Sequence, residues 1–323
     1  MHRVAILLAA LPLCVFGADW SREIKPVSVA RLPSYTEGVV VDLAGNLFVS
    51  HADRISRVTP DGEVSLWSEL PSPNGHKILP DGRHLVCDRK GAVYLLEVDG
   101  TVVKKAVSPP FGANDICLDP ASDGFYFTSP YESRTEPRGQ LYYVDREENL
   151  HLVADWLGYA NGVVLRPDGK TLLVDESLFN RILEFPVLSP GKLGPARVFA
   201  DLPKPGSGQP AAKPDGIALD EDGNLYVAHY GMGAVQVLDT EGRLLASLRG
   251  AGVFTSNVAF ARPDRNQLYV TGSIGPTEQT EGLLLRFDLP GVRGVVAHAS
   301  LIPVPSQPPD SDGVRAISNS DQR

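Results

Sequence analysis

The chain has 323 residues and a net charge of −9, with no acidic run and no interleaving of basic and aromatic side chains. That balance argues against nucleic acid and anionic membrane surfaces as partners. Gly (31) and Pro (27) are both enriched, as many short strands joined by many turns require, and the length suits one large β domain.

In chain order, a short basic start (His2, Arg3) precedes an apolar run that ends at Val15-Phe16-Gly17. The run is too short to cross a bilayer and suits an export signal with a small-residue cleavage site. Residues 1–18 are expected to be a signal peptide, 19–300 the folded domain, and 301–323, rich in Pro, Ser and Asp, a disordered tail. The expected location is secreted or periplasmic, with no membrane association beyond the signal. Cys87 and Cys117 both fall in predicted strands; two buried thiols or a single disulfide fit them, and no Cys/His spacing reads as a zinc site.

Ile24–Leu32 reads as one strand with no hairpin partner nearby. After it a repeat begins. An acidic or amide residue opens an apolar run, usually through a Gly, a turn closes that run, and further β-rich runs follow. The openings are Glu37-Gly38, Asn74-Gly75, Asn114-Asp115, Asn161-Gly162, Asp215-Gly216 and Asn257-Val258, at intervals of 37, 40, 47, 54 and 42 by subtraction. Such intervals signal propeller blades. The closing turn residues are Gly45, Gly82, Gly124, Gly169, Gly223 and, as a variant, Arg265. The sixth repeat shows only three runs, so the unpartnered Ile24–Leu32 is expected to supply its outer strand, joining the first and last blades and removing an exposed edge. No stretch has helical period. The fold class is all-β, a six-bladed β-propeller closed by pairing of an N-terminal strand with the last blade.

In such a fold the first strand of each blade lies nearest the axis, so the six leading residues converge on one end of the channel. Glu37, Asn74, Asn114, Asn161, Asp215 and Asn257 all carry side-chain oxygen. Two carboxylates with amide carbonyls form a hard-oxygen set that suits Ca2+, with Mg2+, Mn2+ or Zn2+ as other occupants. Three long connections, Ser129–Arg138, Pro203–Pro214 and Gly272–Glu281, fall on that same face, where ligand-binding loops are expected.

Glu37-Gly38, Asn114-Asp115 with Asp119-Pro120, Asn161-Gly162 with Pro167-Asp168-Gly169-Lys170, and Pro214-Asp215-Gly216 follow one another in a fixed order. With these motifs the chain resembles the regucalcin/gluconolactonase family of six-bladed propellers over residues 30 to 290. The resemblance implies Glu37, Asn161 and Asp215 as ligands of one divalent cation, with Asn114 at the metal or the substrate. It further implies a metal-dependent lactonase acting on a small, sugar-derived lactone. Two positions depart from the family: Gly112 stands where some relatives place an Arg, and His51 where many carry Asp.

A bound cation would act as a Lewis acid on the lactone carbonyl, and Asp215 would orient or deprotonate water. His76, two after Asn74, and His229, at the end of a strand in the fifth repeat, are the other candidates for substrate contact or proton transfer. No Gly-x-Ser-x-Gly elbow is present, which removes the ordinary serine esterase. Two alternatives stay open: a phosphotriesterase-like hydrolase using the same leaders, and a non-catalytic secreted binding propeller with a structural ion.

Overall fold

The computed structural model describes residues 18–131, 135–261, 265–275 and 280–295. Residues 1–17 of the expected export signal and the tail from 301 lie outside them, as do residues 132–134 and 276–279 of two of the long connections. Within the described residues there is no helix, and the strands form six sheets. Blade one is Thr36–Val41, Leu47–His51, Arg54–Val58 and Val64–Glu69; blade two is Pro73–Ile78, His84–Asp88, Ala92–Leu96 and Val102–Val107. Blade three runs through Ile116–Asp119, Gly124–Ser129, Gly139–Val144 and Leu150–Leu157. Blade four has Ala160–Leu165, Thr171–Glu176 and Arg181–Ser189, with Arg197–Asp201 outermost. It carries an unforeseen extra hairpin strand, Lys192–Leu193. Blade five is Lys213–Leu219, Leu225–Tyr230, Ala234–Leu238 and Leu244–Arg249.

Blade six contributes Phe254–Phe260, Gln267–Ser273 and Gly282–Asp288, and its fourth strand is Val27–Leu32, antiparallel to the last of these with Leu32 opposite Gly282. The ring is therefore closed by the strand that lacked a local partner. The closing turns are left-handed at Gly45, Gly82, Gly169 and Gly223, and Arg265 adopts the same geometry at φ 57°. In blade three it is Asp123 that turns, at φ 55°, not Gly124. Gly124 instead begins the second strand, where a Cβ would lie under 3.0 Å from Tyr143.

The core is divided among the junctions between blades. Leu85, Cys87 and Val93 of blade two pack on Ile116, Phe125 and Phe127 of blade three, while Cys117, Tyr126 and Leu141 pack on Val163, Leu172 and Val174 of blade four. Blades four and five meet through Leu173, Ile182, Ile217 and Val227, and five and six through Tyr226, Val235, Phe260 and Leu268. Each sheet thus buries both faces, which explains why its strands read as apolar runs as often as alternations. Cys87 and Cys117 are free, buried thiols serving different junctions, and burial pushes both thiol pKa values up.

Nearest the axis, the blades are joined by hydroxyls of one blade that donate to the opening carbonyls of the next. Ser50 Oγ donates to Asn74 O at 2.7 Å, Thr128 Oγ1 to Asn161 O at 2.5 Å, and Ser177 Oγ to Pro214 O at 2.6 Å. Thr271 donates likewise to Glu37 O, across the closure. These are buried bonds, and removing one partner leaves a carbonyl unsatisfied, at a cost of about 1–3 kcal/mol. Thr128→Val should lower unfolding free energy by that amount in urea melts, whereas Thr240→Val, at an exposed turn, should leave it within about 0.5 kcal/mol. Equal effects at the two sites would refute a structural role for the axial hydroxyls.

Candidate functional site

The leading residues owe their orientation to bulges. The pairing of first and second strands shifts register between Thr36 and Val39, Pro73 and His76, Ala160 and Val163, Pro214 and Ile217, and Thr255 and Asn257. A bulge leaves the extra residue out of the ladder and bends the strand. The Gly that follows a leader permits close packing around the axis. A Cβ on Gly38 would lie under 3.0 Å from Asn74 O, one on Gly75 from Asp115, one on Gly162 from Asp215 O, and one on Gly216 from the Asn257 amide. The repeated Xaa-Gly is thus a close-approach requirement, since overpacking such a site costs about 1–3 kcal/mol.

Five leaders, Glu37, Asn74, Asn114, Asn161 and Asp215, line one cavity of ≈ 410 Å³ at this end of the channel. Asn257 does not: its Oδ1 accepts the N–H of Val258 at 2.8 Å. Asn161 donates from Nδ2 to Ser177 Oγ at 3.2 Å, and its Oδ1 is buried with no hydrogen-bond partner among the described residues. Asp215 has its pKa raised well above the usual carboxylate range, first by burial and then by the charges of Glu37 and Asp115; the Asn161 amide and Arg89 pull the other way. Asp175, fully buried, accepts the Gly162 N–H at 2.8 Å, and its pKa is also raised, by burial and the Asp215 charge. Asp115 lies 3.9 Å from Lys77 Nζ.

The buried carboxyl of Asp215, which resists ionisation, faces Glu37, and with an Asn161 amide oxygen lacking a donor these groups fit a cation-binding set. Among the described residues no three His, Cys, Asp or Glu side chains cluster as a metal site, so any such set depends on the amide oxygens of Asn161 and Asn114.

The two histidines are placed elsewhere. His76 is buried with Nε2 3.0 Å from Phe48 O, and burial holds its pKa well below the ordinary value. The bulge at Pro73–His76 breaks the period of two that would have set it beside Asn74. His229 is fully buried between Asn180 Oδ1 (2.8 Å) and Gln236 Nε2 (3.1 Å), with its pKa lowered by burial to about 4. Neither lines the cavity. His51 is likewise engaged on both sides, by Ser34 and Ser56 hydroxyls at 2.9 and 2.8 Å.

Sequence reading missed Tyr35, Arg89, Tyr159, Lys213 and Tyr230 in the wall. Tyr35, Tyr159 and Lys213 each stand two residues before a leader, and Ser72 does so for Asn74; that offset was the available signal. Arg89 comes from the turn after the second strand of blade two, and Tyr230 ends the second strand of blade five. Tyr35 is half-buried, and its phenol pKa is raised by burial and by the charges of Glu37 and Asp215. Of the three long connections, 203–214 supplies wall residues (Ala211, Ala212, Lys213), and the described parts of the other two supply none. A second cavity, ≈ 470 Å³, is lined mainly by aliphatic residues such as Val39, Val41, Leu118 and Leu219 and contains no leader.

The fold and its polar leaders therefore define a six-bladed propeller with an acidic-amide site at one end of the channel. Residues 35–274 match the family described as SMP-30/Gluconolactonase/LRE-like region, and the chain belongs to that family. It is 34% identical over 220 residues to lactonase drp35 of Staphylococcus saprophyticus, a match covering 64% of this chain and 67% of that protein. It is 28% identical over 229 residues to a 6-deoxy-6-sulfogluconolactonase of Pseudomonas putida, covering 69% and 76%. Among solved structures, a calcium-binding regucalcin of Agrobacterium tumefaciens superposes with a TM-score of 0.72 at 20% identity, over 85% of this chain and 98% of that one. A gluconolactonase of Xanthomonas campestris gives 0.69 at 21%, over 83% and 90%. These last two likenesses are of fold.

A carboxyl group whose folded pKa exceeds its unfolded value destabilises the fold as pH rises through that interval, because the unfolded chain then binds fewer protons. In chelator, Asp215→Asn should therefore melt above the wild type at pH 7.5, with the gap closing as pH falls towards about 4, near the unfolded carboxylate value. A gap independent of pH would mean that Asp215 carries no buried-charge strain.

Proposed function

We propose that this protein is a divalent-metal-dependent lactonase that opens a small, sugar-derived lactone at the leader end of its channel. The observation that carries this reading is the convergence of Glu37, Asn114, Asn161 and Asp215, from four blades, on one cavity in a member of this family. Relatives named lactonases support the reaction class. Glu37, Asn161 and Asp215 would hold the cation, with Asn114 close by, and Ca2+ is the first choice for an all-oxygen set. The cation would supply Lewis-acid polarisation of the ester carbonyl.

The remaining chemistry belongs to the chain. Asp215 orients the attacking water and takes its proton; burial and Glu37 raise its basicity, whereas a cation opposes that rise. Asn114 holds the substrate against the wall. With both histidines buried and hydrogen-bonded elsewhere, Asp215 is the base this reading uses. The basic and apolar start of the sequence supports export, and fractionation of cells carrying the full chain tests it: recovery in the cytoplasm at full length would end that part of the proposal.

The enzyme should open one or more members of a panel of aldonolactones and other lactones in the presence of Ca2+, Mg2+, Mn2+ or Zn2+, and fail in chelator. Turnover of phosphotriesters alone would replace the lactonase reading with the phosphotriesterase one. Asp215→Asn should lower kcat by roughly 100-fold or more while changing substrate binding much less. Full turnover by this variant with metal bound would remove Asp215 as base. Calorimetry should find that Asp215→Ala weakens the ion strongly and Asn257→Ala hardly at all; equal losses would misplace the metal centre.

A further inference from the structure

Ser177 follows the second strand of blade four, Thr171–Glu176, and is buried in the wall of the leader cavity. The end of that strand grips the opening of its own blade through three successive residues. Asp175 Oδ2 accepts the Gly162 N–H at 2.8 Å, Glu176 Oε1 accepts the Gly158 N–H at 2.7 Å, and the Ser177 N–H donates to Tyr159 O at 3.2 Å. Arg181 Nε holds the other Glu176 oxygen at 2.6 Å. The Ser177 side chain therefore leaves from a backbone with little freedom to move.

Its hydroxyl has one proton and makes two bonds. It donates to Pro214 O at 2.6 Å, and Asn161 Nδ2 lies 3.2 Å from the same oxygen. A carbonyl oxygen cannot donate, so the proton is committed to Pro214. Towards Asn161 the Oγ can then only accept, which admits the NH2 side of the amide and repels the oxygen side. The amide also bonds the Asp215 carboxyl. Oδ1 is left buried and without a partner among the described residues, an arrangement that is costly until something other than a donor satisfies it. The main chain gives no relief, because Thr128 Oγ1 of blade three holds the Asn161 carbonyl at 2.5 Å. Ser50, Thr128 and Thr271 bond the carbonyls of leading residues; Ser177 differs in engaging a leader's side chain.

Resting on the divalent-cation part of the function proposed above, we propose that Ser177 is a positioning residue for the metal centre: its hydroxyl sets the Asn161 amide so that oxygen, not nitrogen, faces the ion. With that hydroxyl gone, the amide is free to turn over and present its NH2 group, which is no ligand for a hard cation. Asp215 gives no substitute hold, since a bound ion engages its carboxylate. The same hydroxyl ties Asn161 of blade four to the peptide that leads into Asp215 of blade five, so two ligands from different blades share one anchor.

Calorimetric titration of Ca2+ into the full chain, freed of metal by chelator, tests the role. Wild type should bind one ion, and Ser177→Ala should bind it roughly tenfold or more weakly, the range that loss of an outer-shell partner costs a metal site. Ser50→Ala removes an equivalent axial bond from Asn74, which is not a ligand in this reading. It should lower the urea midpoint in chelator about as far as Ser177→Ala does, yet keep the Ca2+ affinity within about twofold.

Asn161→Asp supplies the discriminating background, because a carboxylate presents oxygen on either side. There, adding Ser177→Ala should change Ca2+ affinity by no more than about threefold. An equal loss with and without Asn161→Asp would overturn the proposal and assign the effect of Ser177 to the Pro214 peptide. Unchanged affinity in Ser177→Ala would overturn it too, while leaving the cation reading intact. If wild type bound none of Ca2+, Mg2+, Mn2+ or Zn2+, the cation reading would fall and the positioning role with it. Turnover does not enter this readout: a protein that binds Ca2+ in this pattern and opens no lactone would keep the positioning role and lose only the hydrolase.

Discussion

The whole site depends on how closely the first strands approach one another around the axis. A glycine after a leader lets the next blade's opening backbone pass where a Cβ would stand, and a serine or threonine hydroxyl then fastens that backbone. The bulge at the same point takes the leader out of the ladder. Packing, hydrogen bonding and side-chain direction are therefore settled by the same few residues. This couples stability to function: a change that loosens the axial ring displaces the carboxylates, and a change in the carboxylates alters the charge buried in the ring.

That buried charge opposes folding. Asp215 and Asp175 are both buried, Asp215 facing the charges of Glu37 and Asp115 and Asp175 facing that of Asp215, while Lys77 eases Asp115. Groups of this kind persist because the surrounding sheets over-determine them. Six interblade cores, each closed on both faces, supply the excess, and sealing the ring with Val27–Leu32 removes the edge from which unfolding would start. A bound cation would then return stability in proportion to its affinity for the native state.

The propeller was legible because its signals repeat. Six openings at blade-like spacing, turn glycines eight residues on in most copies, and one strand left over at the N-terminal side define the ring and its closure. Arg265 shows that the repeat, more than the residue type, carries the information: its left-handed turn follows from its place in the pattern. The convergence of Glu37, Asn114, Asn161 and Asp215 was legible for the same reason. What escaped was set by the bulges. Counting by twos from Asn74 puts His76 at the cavity, but the register shift between them sends it to Phe48 instead. Asn257 likewise has the right residue type and place in the repeat, yet it is paired in the ladder opposite Thr271 and its Oδ1 turns back onto the N–H of Val258.

Arg89 marks the limit of reading each repeat by its leader. It belongs to a turn after a second strand, where neither hydrophobic period nor motif points to a site, and only the ring's closure brings it to the same cavity as Asp215. Its support is also distributed: Asp88 and Ser72 come from its own blade, and Gly112 and Ala113 from the approach to the next. A glycine at 112 and an arginine at 89 are therefore one feature, since a side chain at 112 would displace the backbone that presents the guanidinium. The leaders are fixed by the axial packing of the first strands, whereas Arg89 depends on the turn that follows a second strand.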